Sequence, residues 1–445
     1  MTSPSVRILS MKLLRHFSLM LLIFSAACSG VATVTPFSAP ENTPSLPATA
    51  HPQGETTPLH SPTNTPGGPL TLRVWLPPQF DPALDTPASE FLRQRLEEFT
   101  HQRSRLVLEV RIKAPYGPGG LLDSLTTASA AAPQSAPDLI ALPRDALETA
   151  ALKGLLYPYN AMTQAMKDED WYDYAYELAS IQDSIYGLPF TGDVMLLAYH
   201  SSIVETPPQD WSAVLEMKQP LVFPAADPQA LFTLGQYRSL GGVVQDELGK
   251  PALDTAALSE VLNYYAEAEL AGVMSAALTQ YQSDDQVWAA FQENRAPMAI
   301  TWCSRYLDFI RDTPSGDHAL SPAPTADGVP YTLATGWVWS LSAKDRERQR
   351  IAVELAEFLT ESTFLANWTE AAGYLPPRPS ALQRWSRQDL ALILDRIAKS
   401  AHALPSADIL VGLSKPLWQA VIDVLREQVD PLAAAQEATA SLSAP

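Results

Sequence analysis

The stretch LTLRVWLPP at residues 70–78 decides how the fold begins, because apolar and polar residues alternate along it before a pair of prolines. Alternation with a period of two predicts a β-strand, and the proline pair predicts that a loop follows. Downstream, Phe91, Leu92, Leu96 and Phe99 fall at helical spacing. We therefore expect the folded body to open with a strand and then a helix.

The same order repeats further along the chain. The segment RLVLEVRIK at residues 105–113 alternates as a second strand, a helix is expected from Leu121 to about Ala131, and PDLIAL at 137–142 is typical of a short buried strand. A β-α-β-α-β order is expected of a parallel sheet with helices on its faces, so the sequence predicts an α/β protein. Further strands are expected at residues 193–200, 220–226, 296–302 and 332–343, with helices between and after them.

The first 28 residues predict secretion. The apolar run at residues 17–24 follows Lys12 and Arg15 and is far shorter than the roughly 20 residues that span a bilayer, which is typical of a signal peptide. Translation from Met1 or from Met11 gives the same prediction.

The signal ends at Cys28, after Ser25, Ala26 and Ala27. This order resembles the lipobox of bacterial lipoproteins, in which the cysteine becomes the lipidated first residue. Ordinary cleavage after the small residues is the alternative. Residues 29–69 then hold no Lys or Arg, two acidic residues, nine prolines and eight threonines. Such a composition cannot bury enough apolar surface to offset chain entropy, so we predict a semi-extended tether.

Bulk composition limits the remaining possibilities. The body beyond residue 69 is long for one compact core, which favours two lobes. A net charge of −19 argues against nucleic-acid binding. The two cysteines are Cys28 and Cys303, so a lipidated Cys28 leaves Cys303 without a disulfide partner.

Motifs of catalysis are absent from the sequence. It contains no GxSxG, HExxH, GxxxxGK[ST] or paired CxxC pattern, and its seven histidines are scattered. We therefore expect no metal site and no cofactor. A pair of acidic residues of the glycosidase kind stays open, because one sequence cannot show the separation of two carboxylates.

Tryptophan is the more informative residue. Ten are present, and Trp75, Trp302 and Trp337 lie at or near predicted strand ends, where open α/β sheets form clefts. Aromatic faces stack on the apolar faces of sugars and other flat ligands. Core packing is the alternative for each of them.

Four motifs, taken in order, resemble ABC-transporter extracellular solute-binding proteins of family 1, the maltose- and multiple-sugar-binding family. They are GLPFTGDVMLLAYH at residues 187–200, AFQENRAPMAITWCSRY at 290–306, ATGWVWSLSA at 334–343 and AAGYLPPRPSAL at 371–382. The resemblance implies a two-lobe type II periplasmic-binding-protein fold with a hinge and a ligand cleft between the lobes. It divides the body into lobe 1 (70–190 and about 335–370) and lobe 2 (about 191–334 and 371–445).

The resemblance also implies a set of ligand-binding residues. Asp193 matches an acidic position at the first crossing between lobes, and Trp337 lies at the second. The implied ligand-binding set is Trp75, Asp193, Trp302, Ser304, Arg305, Trp337 and Tyr374. Asp and Arg suit sugar hydroxyls, and Trp suits sugar rings.

The sequence thus predicts a monomeric, membrane-anchored receptor outside the cytoplasmic membrane, which binds a carbohydrate and delivers it to an ABC permease without catalysis. Three alternatives stay open. The same fold binds other solutes, such as a polyamine, an organic phosphate or a peptide. A lipid-anchored glycoside hydrolase and a sensor subunit for a signalling kinase are the others.

Overall fold

A computed structural model of the protein describes residues 68–313 and 316–443. The predicted signal peptide, Cys28 and all but the last two residues of the predicted tether lie outside these residues. The strands are β1 Leu70–Leu76, β2 Leu106–Ile112, β3 Leu139–Pro143, β4 Ser180–Ile181, β5 Ser184–Ile185, β6 Gly187–Tyr199, β7 Leu221–Val222, β8 Met298–Trp302, β9 Ala319–Ser321, β10 Thr332–Leu341 and β11 Ala401–Ala403.

The helices alternate with these strands in the first part of the chain and dominate its end. They are α1 Pro87–His101, α2 Leu121–Ala131, α3 Arg144–Leu152, α4 Asp173–Ala179, α5 Trp211–Met217, α6 Leu231–Ser239, α7 Thr255–Leu270, α8 Asp284–Gln292, α9 Cys303–Asp312, α10 Arg346–Phe358, α11 Ser362–Ala372, α12 Pro379–Leu382, α13 Gln388–Ala398, α14 Ala407–Leu425 and α15 Pro431–Ser443. Short 3-10 turns lie at Pro78–Phe80, Pro133–Ser135, Ala165–Lys167 and Ala276–Gln280.

Strands β1, β2 and β3 form the parallel sheet that the sequence predicted. Leu72 pairs with Leu108 in β2, and Val74 pairs with Leu139 in β3. All five residues of β3 are buried. Helices α1 and α10 pack beside this part of the sheet because their apolar residues recur at helical spacing and need a covered face.

The long strands β6 and β10 join the parallel strands to the rest of the sheet. Within the described residues the sheet has nine strands, seven of them in the order β2-β1-β3-β10-β6-β8-β7. Strand β10 runs antiparallel to β3 and β6, and the last five residues of β6 pair with β8. Strand β10 thus links β3 to β6, and β6 links β10 to β8, so these two strands connect the two halves of the sheet.

Two glycines allow these strands to lie close to their surroundings. Gly192 and Gly336 are register partners in β6 and β10. A Cβ atom at Gly192 would collide with the Tyr174 hydroxyl, and one at Gly336 would collide with the Thr191 carbonyl. Only glycine fits at both positions.

The second half of the sheet is covered mainly by α8 and α9, and α13 packs against β6 and β9. Strands β8, β7 and β9 pair beside β6, and α14 packs against α7 and α15. The predicted lobe boundaries are consistent with this layout and stay a prediction. Within residues 68–313 and 316–443, no helix combines the length and the hydropathy needed to cross a membrane.

Candidate functional site

A cavity of about 690 Å³ opens where the two halves of the sheet meet. Its walls come from the first turn of α3, the middle of β6 and β10, the junction of β8 with α9, the end of α11 and the start of α14. Strand ends and helix starts converge here, which is where open α/β sheets form binding sites. The volume is that of an ordinary small-molecule site.

Asp193 lies at the centre of this cavity. It faces Thr335 across the β6–β10 pair, and Thr335 also lines the cavity. The Ser304 backbone N–H donates to Asp193 Oδ1 at 2.9 Å, and the Ser304 hydroxyl donates to Oδ2. The pKa of Asp193 is raised to about 7, mainly by burial; the hydrogen bonds from Ser304 oppose this rise and the neighbouring Asp284 adds to it. Each oxygen of this carboxyl group accepts one hydrogen bond from Ser304 and keeps further acceptor capacity for hydroxyl donors of a ligand.

Two aromatic rings flank Asp193. Trp302 ends β8 opposite Met195 of β6, and its side chain is partly exposed to the cavity. Tyr374 follows Gly373, whose φ of 73° ends α11 in the left-handed conformation that favours glycine. Burial raises the pKa of Tyr374 to about 12, and the Asp193 charge adds to the effect, so the hydroxyl stays protonated and can donate a hydrogen bond.

The guanidinium group of Arg305 is committed to neighbouring carboxylates. Its Nε lies 3.2 Å from Asp284 Oδ2, and it forms a second ion pair with Asp285. Both aspartates begin α8, where a negative charge also complements the helix dipole. Because these two carboxylates balance its charge, Arg305 offers a ligand oriented N–H donors more than an unpaired positive charge.

The cavity is acidic overall. Among the described residues that line it are five carboxylates and two guanidinium groups, and Arg144 donates to the carbonyls of Leu178 and Ser180. Carboxylates accept hydrogen bonds strongly and donate none when ionised. The site therefore suits a ligand rich in hydrogen-bond donors.

Five of the seven predicted ligand-binding residues line the cavity: Asp193, Trp302, Ser304, Arg305 and Tyr374. The other two do not line it. Trp75 is 2% exposed in the core, where the Lys113 ammonium lies 4.8 Å from its ring. The ring of Trp337 packs edge-on against Phe80 with centroids 5.4 Å apart.

Sequence reasoning missed several residues of the cavity. Asp145 and Glu148 come from α3, directly after the buried strand β3, and Thr335 lies inside a motif already singled out. Their positions at or near strand ends could have identified them from the sequence. Residues 404–411 carried no such signal, because a segment far along the chain is brought here by tertiary packing.

A hydrogen bond crosses the cavity from one half of the molecule to the other. Glu148 Oε2 of α3 accepts from the backbone N–H of Ala407, the first residue of α14, at 3.0 Å. Both residues line the cavity. The negative charge of Glu148 therefore lies at the positive end of the α14 dipole.

Metal binding finds no support in the described part of the chain. None of its His, Cys, Asp and Glu residues form a group of three or more with the geometry to hold a metal ion. Cys303 is a free, buried thiol whose pKa is raised by burial and by Asp193.

Two halves of a sheet joined by long strands, with a polar and aromatic cleft at their junction, define a two-lobe protein of the solute-binding type. The sequence profile described as "Bacterial extracellular solute-binding protein" matches residues 95–392. The chain belongs to this family, whose members are extracellular or periplasmic receptors. The predicted family and the predicted two-lobe α/β fold are thus confirmed.

Solved structures of sugar-binding proteins share this fold. A cyclo/maltodextrin-binding protein complexed with maltotetraose has a TM-score of 0.68 and 20% identity, covering 85% of this chain and 97% of its own. The cyclic α-maltosyl-1,6-maltose binding protein from Arthrobacter globiformis has a TM-score of 0.68 and 16% identity, covering 84% and 99%. A solute-binding protein from Thermotoga lettingae, bound with α-D-tagatose, has a TM-score of 0.61 and 22% identity, covering 84% and 98%. A search of curated protein sequences finds no significant match.

Proposed function

We propose that the protein is the solute receptor of an ABC importer, and that it captures a carbohydrate in the cleft and delivers it to the permease. The observation that carries this proposal is that the Asp193 carboxyl group lines one cavity together with the aromatic residues Trp302 and Tyr374. The protein acts by binding and release, and it leaves the solute chemically unchanged.

The chemistry of a sugar fits this arrangement. Its hydroxyl groups donate hydrogen bonds, and the cleft offers carboxylate acceptors at Asp193, Glu148 and Asp308. Its ring carries apolar C–H faces, which stack on aromatic rings. Closure of the two lobes about β6 and β10 then removes water from both kinds of contact.

Solved relatives support a sugar as the ligand class. The ligands bound in them range from the single sugar tagatose to maltotetraose. The cleft volume of about 690 Å³ is compatible with a ligand of either size.

The anchoring of the receptor belongs to the same proposal. Lipid attached to Cys28 would hold the protein at the outer face of the cytoplasmic membrane as a monomer, and residues 29–69 would separate the body from the lipid surface. Lobe boundaries near residues 190, 335 and 371 would put the crossings of the chain in β6, in β10 and at the end of α11.

An anionic solute is disfavoured by the charges of the cleft. The carboxylates outnumber the guanidinium groups, and Arg305 is already paired with Asp284 and Asp285. A phosphate group placed there would lie among like charges in a partly desolvated site. A phosphorylated sugar should therefore bind more weakly than its neutral parent.

A thermal-shift screen of the full chain tests the function. The panel holds neutral sugars and oligosaccharides, their phosphorylated counterparts, polyamines, amino acids and peptides. A ligand at a hundred times its dissociation constant adds about 2.7 kcal/mol to the free energy of unfolding, which raises the melting temperature visibly. Stabilisation by a neutral sugar is the expected result.

Two other outcomes would contradict the proposal. Stabilisation by polyamines, phosphates or peptides alone would show that the ligand is not a carbohydrate. No rise in melting temperature with any compound would count against a sugar receptor. Prolonged incubation with the stabilising sugar, followed by chromatography, separates a receptor from a hydrolase. The receptor returns the sugar intact.

A further inference from the structure

The helix α14 leads away from the cleft along one wall of the molecule. Ala407, Leu410 and Val411 at its start line the cleft. Lys415, Trp418 and Ile422 follow Val411 at intervals of four, seven and eleven residues, which places them on the same helix face. Trp418 is two helical turns, about 10 Å, beyond Val411.

A second cavity of about 680 Å³ lies beside Trp418. We call it the Trp418 groove; it is lined by Lys415, Trp418 and Gln419 of α14 together with Pro228 and Gln282. Trp418 is only partly buried, whereas Lys415, Gln419 and Gln282 are exposed. The groove thus combines a partly open aromatic face with polar side chains, the same combination that the cleft shows.

The Trp418 groove and the cleft lie along the same helix and share lining residues with a cavity between them. Val411 lines both the cleft and an intermediate cavity of about 510 Å³ between α14 and α15, and that cavity shares Lys415 and Gln419 with the Trp418 groove. The loop before α6 separates the two sites on the other side, with Pro228 facing the groove and Gln229 facing the cleft.

The path between them offers polar groups to a passing ligand. Pro416 lies inside α14 and has no N–H to donate to the carbonyl of Gly412, one turn earlier, and both residues line the intermediate cavity. Gln419 donates to Asp423 Oδ1 at 2.8 Å, which orients its side-chain amide beside the groove. An oriented amide, which both donates and accepts hydrogen bonds, suits hydroxyl groups.

We propose that the Trp418 groove is a second carbohydrate subsite, which holds the outer units of an oligosaccharide whose first units fill the cleft. This inference rests on the proposed function and adds the length of the ligand to it. Trp418 stacks on a sugar ring, and Lys415 and Gln419 bond its hydroxyl groups. The receptor is then built for chains that exceed the cleft.

Calorimetric titration of the full chain with two length series tests the inference. The probes are malto-oligosaccharides and cello-oligosaccharides of two to seven units. In the wild type, affinity is expected to rise by roughly threefold to tenfold once the chain is long enough to reach Trp418, as one added aromatic stacking contact would give. Trp418→Ala should remove this gain and leave the affinity for the shortest bound member unchanged.

Two further variants test the same groove independently of Trp418→Ala. Trp418→Phe retains an aromatic face and should retain most of the gain. Lys415→Ala changes an exposed side chain of the same groove, so it reports on the site even when Trp418→Ala fails to fold, and it should reduce the gain.

The results that would overturn the Trp418 subsite differ from the result that would overturn the proposed function. Short sugars that bind without any gain for longer ones, or a gain that survives in both Trp418→Ala and Lys415→Ala, would overturn the subsite alone. Absence of binding by every member of both series would also overturn it. The proposed function falls only when the thermal-shift screen finds no neutral sugar either.

Discussion

The carboxylate of Glu148 and the backbone N–H of Ala407 meet at 3.0 Å, although they are 259 residues apart in sequence. Glu148 belongs to α3, beside the parallel strands, and Ala407 begins α14, which packs against α7 and α15. Their hydrogen bond joins the two walls of the cleft. Separation of α3 from α14 at this point would break it.

Glu148→Ala should accelerate release of the solute. A hydrogen bond to a charged group contributes about 1.5–3 kcal/mol, so losing it from the closed form should raise the dissociation rate about tenfold or more. Stopped-flow measurement of solute release checks this rate. Thr149→Ala is the matched control, because the Thr149 hydroxyl bonds only to Asp145 within α3. Equal rates of solute release from Glu148→Ala and the wild type would show that this hydrogen bond does not slow release.

Asp193→Asn should weaken binding and stabilise the empty protein at neutral pH. The folded-state pKa of Asp193 is raised from the ordinary 3.8 to about 7 by burial. Below pH 4 the group is protonated in both the folded and the unfolded state. Between pH 4 and pH 7 the unfolded state ionises first, so the stability that the protonated group contributes is lost as the pH rises.

Melting temperatures of the wild type and Asp193→Asn at pH 4 and pH 8 measure this effect. The variant should gain stability relative to the wild type at pH 8, because Asn carries no charge and still offers Ser304 an acceptor oxygen. Asp308→Asn, at an exposed carboxylate that pairs with Arg311, is the control for a general charge effect. If the melting temperatures of the wild type and Asp193→Asn differ by the same amount at pH 4 and pH 8, the ionisation of Asp193 does not affect stability in this way.

Trp302→Ala should lower the affinity for the solute by about 2 kcal/mol while the fold survives, because it removes an aromatic face from the cleft. Trp302→Phe keeps a smaller face and should lose less. Titration calorimetry gives both affinities, and circular dichroism confirms folding. Unchanged binding by Trp302→Ala would move the site elsewhere.

Trp337 provides the comparison for Trp302. Its ring packs against Phe80 and does not line the cleft. Trp337→Phe should therefore lower the melting temperature and leave the dissociation constant within about twofold of the wild type. A large loss of affinity in Trp337→Phe would show that Trp337, at the predicted second crossing between the lobes, takes part in ligand binding.

Cys28→Ala should release the protein from membranes. The expectation follows from the small residues that precede Cys28 and from the tether that follows it. Fractionation of cells that express each form, followed by immunoblotting, measures the distribution. A variant that stays in the membrane fraction would refute lipidation at Cys28.

Local pattern was enough to predict many elements. The alternation in residues 105–113 predicted β2, and helical spacing after YGPGG predicted the helix observed at Leu121–Ala131. These patterns carry information because a strand or helix must bury one face, and the period of its apolar residues reveals that face. The motif at residues 187–200 likewise placed Asp193 on a long strand.

Individual ligand residues were harder to predict than elements. Trp302 and Trp337 both lie in motifs of the family, yet one lines the cleft and the other packs against Phe80. Their difference depends on which way each strand presents its side chains and on what lies beside it. Neither property can be read from a single motif.

The sequence by itself determined much of the order of strands and helices and the family, because these depend on local composition and spacing, and the secretion signal and the tether stay predictions from the same kind of pattern. Tertiary structure alone decided that Glu148 meets Ala407, that Arg305 pairs with Asp284 and Asp285, and that Trp302 and Tyr374 line one cavity. Each of these joins residues distant in the chain. Such contacts arise from how whole elements pack, and packing depends on the entire fold at once.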